Sequence, residues 1–507
     1  MDKNNITKTV FWISIIIVLG KLLGFVREIL IGSAFGTSQA VDAFLSAESI
    51  ATIFLGWLAS FSIIFTPVYQ EKRLMMGKRK ADIFASCFIL VVLLIGLIGS
   101  IFGLIGIHNI VKLCVPGFSK DSQQLTILYL KIILWTQVLC SITSIFIERL
   151  NCYGKKIESS ISLLIFGIFQ LVGALCAKKL NNPFFLGYGL LISYIIQLIY
   201  VVLLSVKSKI KIHFSLTVIK ETISCIKMVI PIFISNMISE LNIFFDKFFA
   251  SFLMEGSIAI LHYASRIRIL FSYIFSTLVQ TVFYPELSIL ANTNNDELSN
   301  YVNKVTNVVL TFFLPLTVGC VIVSEPIIKI IYGRGNFNEY SLKLTTEVFC
   351  CYILSIAPLA IRDLCIKVLY SLKKTKVTMY IGFFSIITNT ILNLILIKQF
   401  NYIGLASATS ASACLSMIIY MLYLNKNIKI NYSFEWIKTT LICVIMGVTV
   451  YVLHNAISDN MFNNIVGLIV LLLLDLLIGV TVYFLCGVAI KQKVIMYIFH
   501  HIKEKIK

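Results

Sequence analysis

The chain has 507 residues, of which 58% are hydrophobic and only 13% charged, with a mean hydropathy of +0.92. A soluble domain carries about 25% charged residues, so a soluble globular protein is excluded, and apolar runs of about 20 residues exclude the ten-residue alternation of a membrane β-barrel. The net charge of +19 would suggest nucleic acid in a soluble protein, but here it follows from topology, because Lys and Arg collect in cytoplasmic loops.

The reading is an all-α polytopic membrane protein with fourteen spans. The first, over 9–33, is too long for a signal-peptide core and carries internal charges, so it is not read as a cleaved leader. The next five cover 40–69, 81–107, 124–149, 157–177 and 183–206. A basic stretch, Lys207 to Glu221, reads as an amphipathic cytoplasmic linker between two lobes. Spans seven to twelve cover 222–252, 257–291, 299–324, 341–371, 376–398 and 402–424. Two further spans, 435–455 and 463–488, precede a basic tail. The domain plan is therefore an N-terminal lobe over 1–206, the linker over 207–221, a C-terminal lobe over 222–425, two extra helices within 426–488 and a cytoplasmic tail over 489–507.

Loop charge alternates. Counting Lys and Arg, twenty-six lie in the tails and loops on the side of the N-terminus, including Lys72, Arg73, Lys78, Arg79 and Lys80; eight lie opposite. This bias places both termini in the cytoplasm. Ser38-Gln39-Ala40-Val41 at the start of span 2 and Ser257-Ile258-Ala259-Ile260 at the start of span 8 hint at a duplication of six spans, a common transporter plan. The linker and the Lys-rich tail suit anionic headgroups. The 13 Cys are dispersed and read as free thiols, with no disulfide framework or zinc spacing.

Lys21 and Arg27 sit inside span 1, and Arg266 and Arg268 inside span 8. A cation near the bilayer centre costs about 2.5–3.5 kcal/mol on insertion scales, so such residues face a cavity or a partner. A cavity lined by cations suits an anionic cargo. Six residues separate Lys21 from Arg27, so they share a cavity only if Gly20 and Gly24 bend the helix; a Lys21–Glu28 pair is the alternative. Of Arg266 and Arg268, about 200° apart on a helix, one is taken to meet substrate and the other to pair with an acid such as Asp246 or Glu240. Asp42 is either a gating partner for a basic residue or an acid stabilised by its own helix dipole. Asp246, Asn389, Asn393 and Thr409 offer oxygen ligands for Na⁺ as a coupling ion, or else hydrogen-bond between helices. Asp363 and Lys367 read as a local i,i+4 pair. No hydrolase, nucleotide-binding or metalloprotease motif is present, and neither an enzyme, a firm metal site nor a cofactor is expected.

Several segments carry a resemblance: Gly24-Phe25-Val26-Arg27-Glu28 with Asp42-Ala43-Phe44, Tyr263-Ala264-Ser265-Arg266, Tyr332-Gly333-Arg334-Gly335-Asn336-Phe337, and Leu369-Tyr370-Ser371-Leu372-Lys373. In order and spacing the chain resembles the MviN/MurJ lipid II flippases. The resemblance implies the MOP exporter fold, with two six-helix lobes and two extra helices, in a bacterial cytoplasmic membrane. It implies alternating-access movement of lipid II, the undecaprenyl-diphosphate-linked peptidoglycan precursor, from inner to outer leaflet by a monomer. Arg27, Asp42 and Arg266 match family functional positions, and Lys21 stands where the family commonly has Arg. Span 2 departs: where the family has a basic pair and an Ala-Glu-Gly-Ala stretch, this chain reads Ile53-Phe54-Leu55-Gly56-Trp57-Leu58-Ala59-Ser60 without charge. A flippase for another polyprenyl-diphosphate glycan, a MATE-like exporter and a non-transporting scaffold are the alternatives.

Overall fold

Long apolar runs between polar punctuation produce helices and, among the described residues, no strand. The computed structural model describes residues 3–208, 215, 218, 222, 237, 240–430, 435–461 and 464–506. Most of the expected linker and the first half of span 7, Asn236 included, lie outside the described residues. The chain divides into two units, one of residues 1–259 with Gly335–Phe337 and one of Ile260–Arg334 with Asn338–Lys507.

The first unit holds α1 (Lys3–Phe35), α2 (Gln39–Leu55), α3 (Ser60–Met76), α4 (Lys78–Ile105), α5 (Ile107–Cys114), α6 (Lys120–Cys152), α7 (Lys156–Lys179) and α8 (Phe184–Lys207). Helix α1 runs unbroken through Gly20 and Gly24. A 3₁₀ turn over Gly56–Ala59 joins α2 to α3. That turn occupies the uncharged part of span 2, and Leu55 and Leu58 there are fully buried, so packing has taken the place of charge. Phe61, Phe65, Phe84 and Phe88 form an aromatic core between α3 and α4, with Phe61 and Phe88 ring centroids 5.8 Å apart. Helices α7 and α8 cross glycine on glycine: a Cβ on Gly173 would lie 2.6 Å from the Gly189 Cα. Such small-residue contacts let membrane helices approach where hydrophobic exclusion gives no drive.

One end of this unit is fastened by a buried polar network. Arg149, fully buried, donates to Asp82 at 3.1 Å. The hydroxyls of Tyr69 and Tyr153 also donate to Asp82, at 3.0 and 2.6 Å. Burial, then the Asp82 hydrogen bond, pushes the Tyr153 phenol up to about 12, so it remains a donor at physiological pH. The network ties α3, α4 and α6 together, and the cations of Arg73 and Lys78 lie over the Tyr153 ring.

A helix starting at Ser257 crosses the unit boundary: α9 (Ser257–Leu278) has its first turn in the first unit and continues in the second. The second unit adds α10 (Tyr284–Thr293), α11 (Asn295–Ile322), α12 (Ser324–Tyr332), α13 (Glu339–Ile353), α14 (Ile356–Ser371), α15 (Thr375–Ile428), α16 (Glu435–Met461), α17 (Ile465–Ala489) and α18 (Lys493–Ile506). Asn294 and Asn338 cap α11 and α13 through their side-chain oxygens. The core gathers Leu298, Val302 and Val305 of α11, Leu364 and Val368 of α14, and Leu424 of α15. Gln492, fully buried, precedes α18. Its amide nitrogen donates to Thr311 of α11 at 2.9 Å and to Thr439 of α16 at 3.4 Å, and its oxygen accepts from the Ile495 amide.

Eleven helices or helix pairs among the described residues are long and apolar enough to span a membrane, against fourteen expected. Three differences account for the gap. Expected spans 11 and 12 are two helices that meet at a kink, Asn401, whose φ of 47° and ψ of −128° are not helical; they run on as α15 and count once among the eleven. Span 7 falls largely outside the described residues. Span 1 is α1, a 33-residue helix not among the eleven.

Candidate functional site

Helix α1 carries two adjacent buried charges. Arg27 is 7% exposed and Glu28 3%. Arg27 Nη2 donates to Glu28 Oε1 at 2.5 Å, while Arg27 Nε has no hydrogen-bond partner among the described residues. Glu48 of α2 lies within electrostatic reach of Arg27. Lys21 is exposed, on another side of α1 from Arg27. Without a break at Gly20 or Gly24, one face of α1 cannot present both cations.

Asp42 is 3% exposed. Its carboxylate accepts from the Gly256 amide at 2.6 Å and from the Ala259 amide at 2.7 Å. It therefore caps the N-terminus of α9, satisfying amides that have no partner within the helix. The sequence reading considered Asp42 against its own helix; the positive end it meets belongs to another.

The GRG-Phe stretch folds back on α1. Asn336 donates from its backbone amide to Ser33 O at 2.9 Å and from its side chain to Ala34 O at 2.6 Å. Gly335 has φ +63°, and a Cβ there would fall 2.1 Å from Ser33 O. Only glycine permits both the backbone angle and the approach. These bonds satisfy carbonyls at the end of α1 that the helix leaves open. Gly256, at φ +89°, likewise lies against Thr37 O.

In the second unit, Arg266 Nε and His262 Nε2 are 3.2 Å apart. Arg268 lies over the Tyr352 ring at 5.3 Å. Asn393 donates to Asn389 Oδ1 at 3.1 Å, Asn389 contacts Ser412 at 3.5 Å, and Thr409 donates to Leu405 O. Both Asn residues are fully buried. Asp246 belongs to the first unit. Among the described residues no cluster of His, Cys, Asp and Glu has the arrangement of a metal site.

Two local pairings differ from expectation. Asp363 bonds Arg362 at 3.2 Å, while Lys367 lies over the rings of Tyr284 and Tyr370; aromatic faces compete with the i,i+4 carboxylate for that ammonium. Asp475, unassigned from sequence, meets His454 Nδ1 at 2.7 Å, joining α17 to α16. Glu48 was missed because it reads as one polar residue in an apolar run, and Asp82–Arg149 because its partners lie 67 positions apart.

Long apolar helices in two units, with guanidinium groups held inside, define a multi-pass helical membrane protein. The chain belongs to the lipid II flippase MurJ family, whose model matches residues 31–473; that match begins just after Arg27. This is a family of transporters and not of enzymes. The chain is 26% identical over 493 residues to a probable lipid II flippase MurJ of Rickettsia prowazekii, covering 94% of this chain and 96% of the relative. It is 24% identical to the Aquifex aeolicus counterpart, covering 88% of each. Among solved structures it is similar to a lipid II flippase MurJ in an inward closed conformation, at 26% identity and a TM-score of 0.81, covering 95% of this chain and 99% of that one. An inward-facing multidrug resistance MATE transporter of the MOP superfamily shares the fold at 14% identity and a TM-score of 0.67, covering 81% and 94%.

Proposed function

We propose that this chain moves lipid II from the inner to the outer leaflet of a bacterial cytoplasmic membrane by alternating access, supplying peptidoglycan synthesis. Beside the family match, the observation that carries the reading is Arg27: a guanidinium 7% exposed, one nitrogen on Glu28 and Nε without an acceptor. A diphosphate brings anionic oxygens that such a group holds through charge-assisted hydrogen bonds. Arg266 is a second candidate contact for the cargo, Lys21 stands on another side of α1 from Arg27, and Asp42 sets the gate by capping α9. The excess of Lys and Arg in loops on the N-terminal side supports cytoplasmic termini, and the basic tail supports contact with anionic lipids. A monomer suffices for this mechanism. The uncharged Gly56–Ala59 turn favours, as the second reading, another polyprenyl-diphosphate glycan.

The test is complementation of a cell depleted of its own lipid II flippase. The wild-type chain restores growth, and Arg27→Ala and Arg266→Ala reach the membrane without restoring it. Full rescue by both variants refutes the cation argument, and no rescue by the wild type favours the other glycan. Na⁺ is the proposed coupling ion; transport by the wild type that ignores Na⁺ removes it.

A further inference from the structure

Within the first unit, α1, α3, α6 and α7 line an open cleft of about 470 Å³, within the size range of small-ligand sites. It lies beside the basic loops at residues 72–80 and 155–156. Its polar lining includes Thr66, Gln70, Glu148, Asn151, Lys156 and Ser160. Glu148 Oε2 accepts from the Thr66 hydroxyl at 2.9 Å, and neither the half-buried Glu148 nor the exposed Lys156 is in an ion pair among the described residues. Asn151 Oδ1 accepts from Ser159 at 2.6 Å, which leaves its amide nitrogen for a ligand. A half-buried carboxylate without a cation, an ammonium without an anion and two carboxamides on one cleft are complementary to a short peptide carrying both a free amine and a free carboxylate. A phosphate would meet Glu148; a plain sugar would leave both charges unanswered.

We infer that this cleft is a subsite for the peptide portion of the substrate, Glu148 taking its amine, Lys156 its carboxylate, and Gln70 and Asn151 its amides. The inference rests on the flippase reading above, because that reading supplies a cargo with a stem peptide. Spacing along α1 agrees. Ile13 lines the cleft, and Arg27 lies fourteen residues further along the same helix, about 21 Å at 1.5 Å per residue. A stem of about five residues extends about 17 Å, and the sugar between peptide and diphosphate makes up the remainder. One lipid can then reach Arg27 with its diphosphate and the cleft with its peptide.

The test measures binding to the full chain in lipid bilayers, with three probes: lipid II bearing a free side-chain amine, the same lipid acetylated on that amine, and undecaprenyl diphosphate alone. Glu148→Gln and Lys156→Gln are each expected to weaken lipid II binding about tenfold or more while leaving undecaprenyl diphosphate unaffected. Gln70→Ala, which alters no charge, is expected to show a smaller loss of the same selectivity. The acetylated lipid should bind wild type and Glu148→Gln alike. Wild-type affinity for lipid II in all three variants overturns the subsite and leaves the flippase reading intact. Equal losses for both lipids also overturn it, since they indicate a structural role. A wild-type chain that binds neither lipid overturns the flippase reading and the subsite with it.

Discussion

Replacing Asp42 by Ala removes a buried carboxylate from two backbone amides, Gly256 and Ala259, 2.6 and 2.7 Å away. Each donor left buried without an acceptor costs about 1–3 kcal/mol, and loss of an ordinary N-cap costs about 0.5–2 kcal/mol. With two donors and a full charge on the positive end of α9, the sum is about 3 kcal/mol of local stability. At about 1.4 kcal/mol per factor of ten, hydrogen exchange at those two amides should accelerate about a hundredfold. Amides in the middle of α6 should keep their protection. Asp42→Asn retains one acceptor oxygen without the charge and should fall between. The readout is site-resolved exchange on protein in bilayers or detergent. Unchanged protection of Gly256 and Ala259 in Asp42→Ala refutes the capping account. Loss of flipping with protection intact would return Asp42 to a direct role with a basic residue.

Arg149→Ala strands Asp82 and should cost about 3–5 kcal/mol, whereas Arg149→Met with Asp82→Leu should cost far less; thermal unfolding in detergent compares the two. Gly173→Val drives a side chain into the Gly189 backbone and should lower stability by about 1–3 kcal/mol or more, seen as a lower unfolding temperature and reduced yield. His454→Leu leaves the Asp475 carboxylate, 4% exposed, without its partner, and should destabilise more than Asp475→Asn does.

Helical class, membrane habit and the burial of Arg27 were legible because they depend on local signals: apolar run length and a charge where charge is expensive. Asp42 was visible as a residue of interest, but its role was not. The amides it caps lie more than 210 positions away, and no periodicity announces a carboxylate at another helix's end. Gly335 shows the same limit. The sequence marks a glycine in a loop, while the reason for it, the Ser33 carbonyl at contact distance, is three hundred residues upstream. Asp363 misled for a different cause, since helical spacing ranks Lys367 as its partner without knowing that two tyrosine rings stand nearer. The two spans within α15 were legible because length alone demands a break, and the non-helical Asn401 supplies it.

Gln492 also sets a boundary for shortening the chain. Deleting the last fifteen residues removes all of α18 but keeps the amide that bridges Thr311 and Thr439. Deleting one residue further, through Gln492, leaves hydroxyls on two membrane helices without that bridge. A trimming series should therefore show a step in expression at this residue and not a gradual decline, and reporter fusions are better tolerated after Lys507 than in place of the tail.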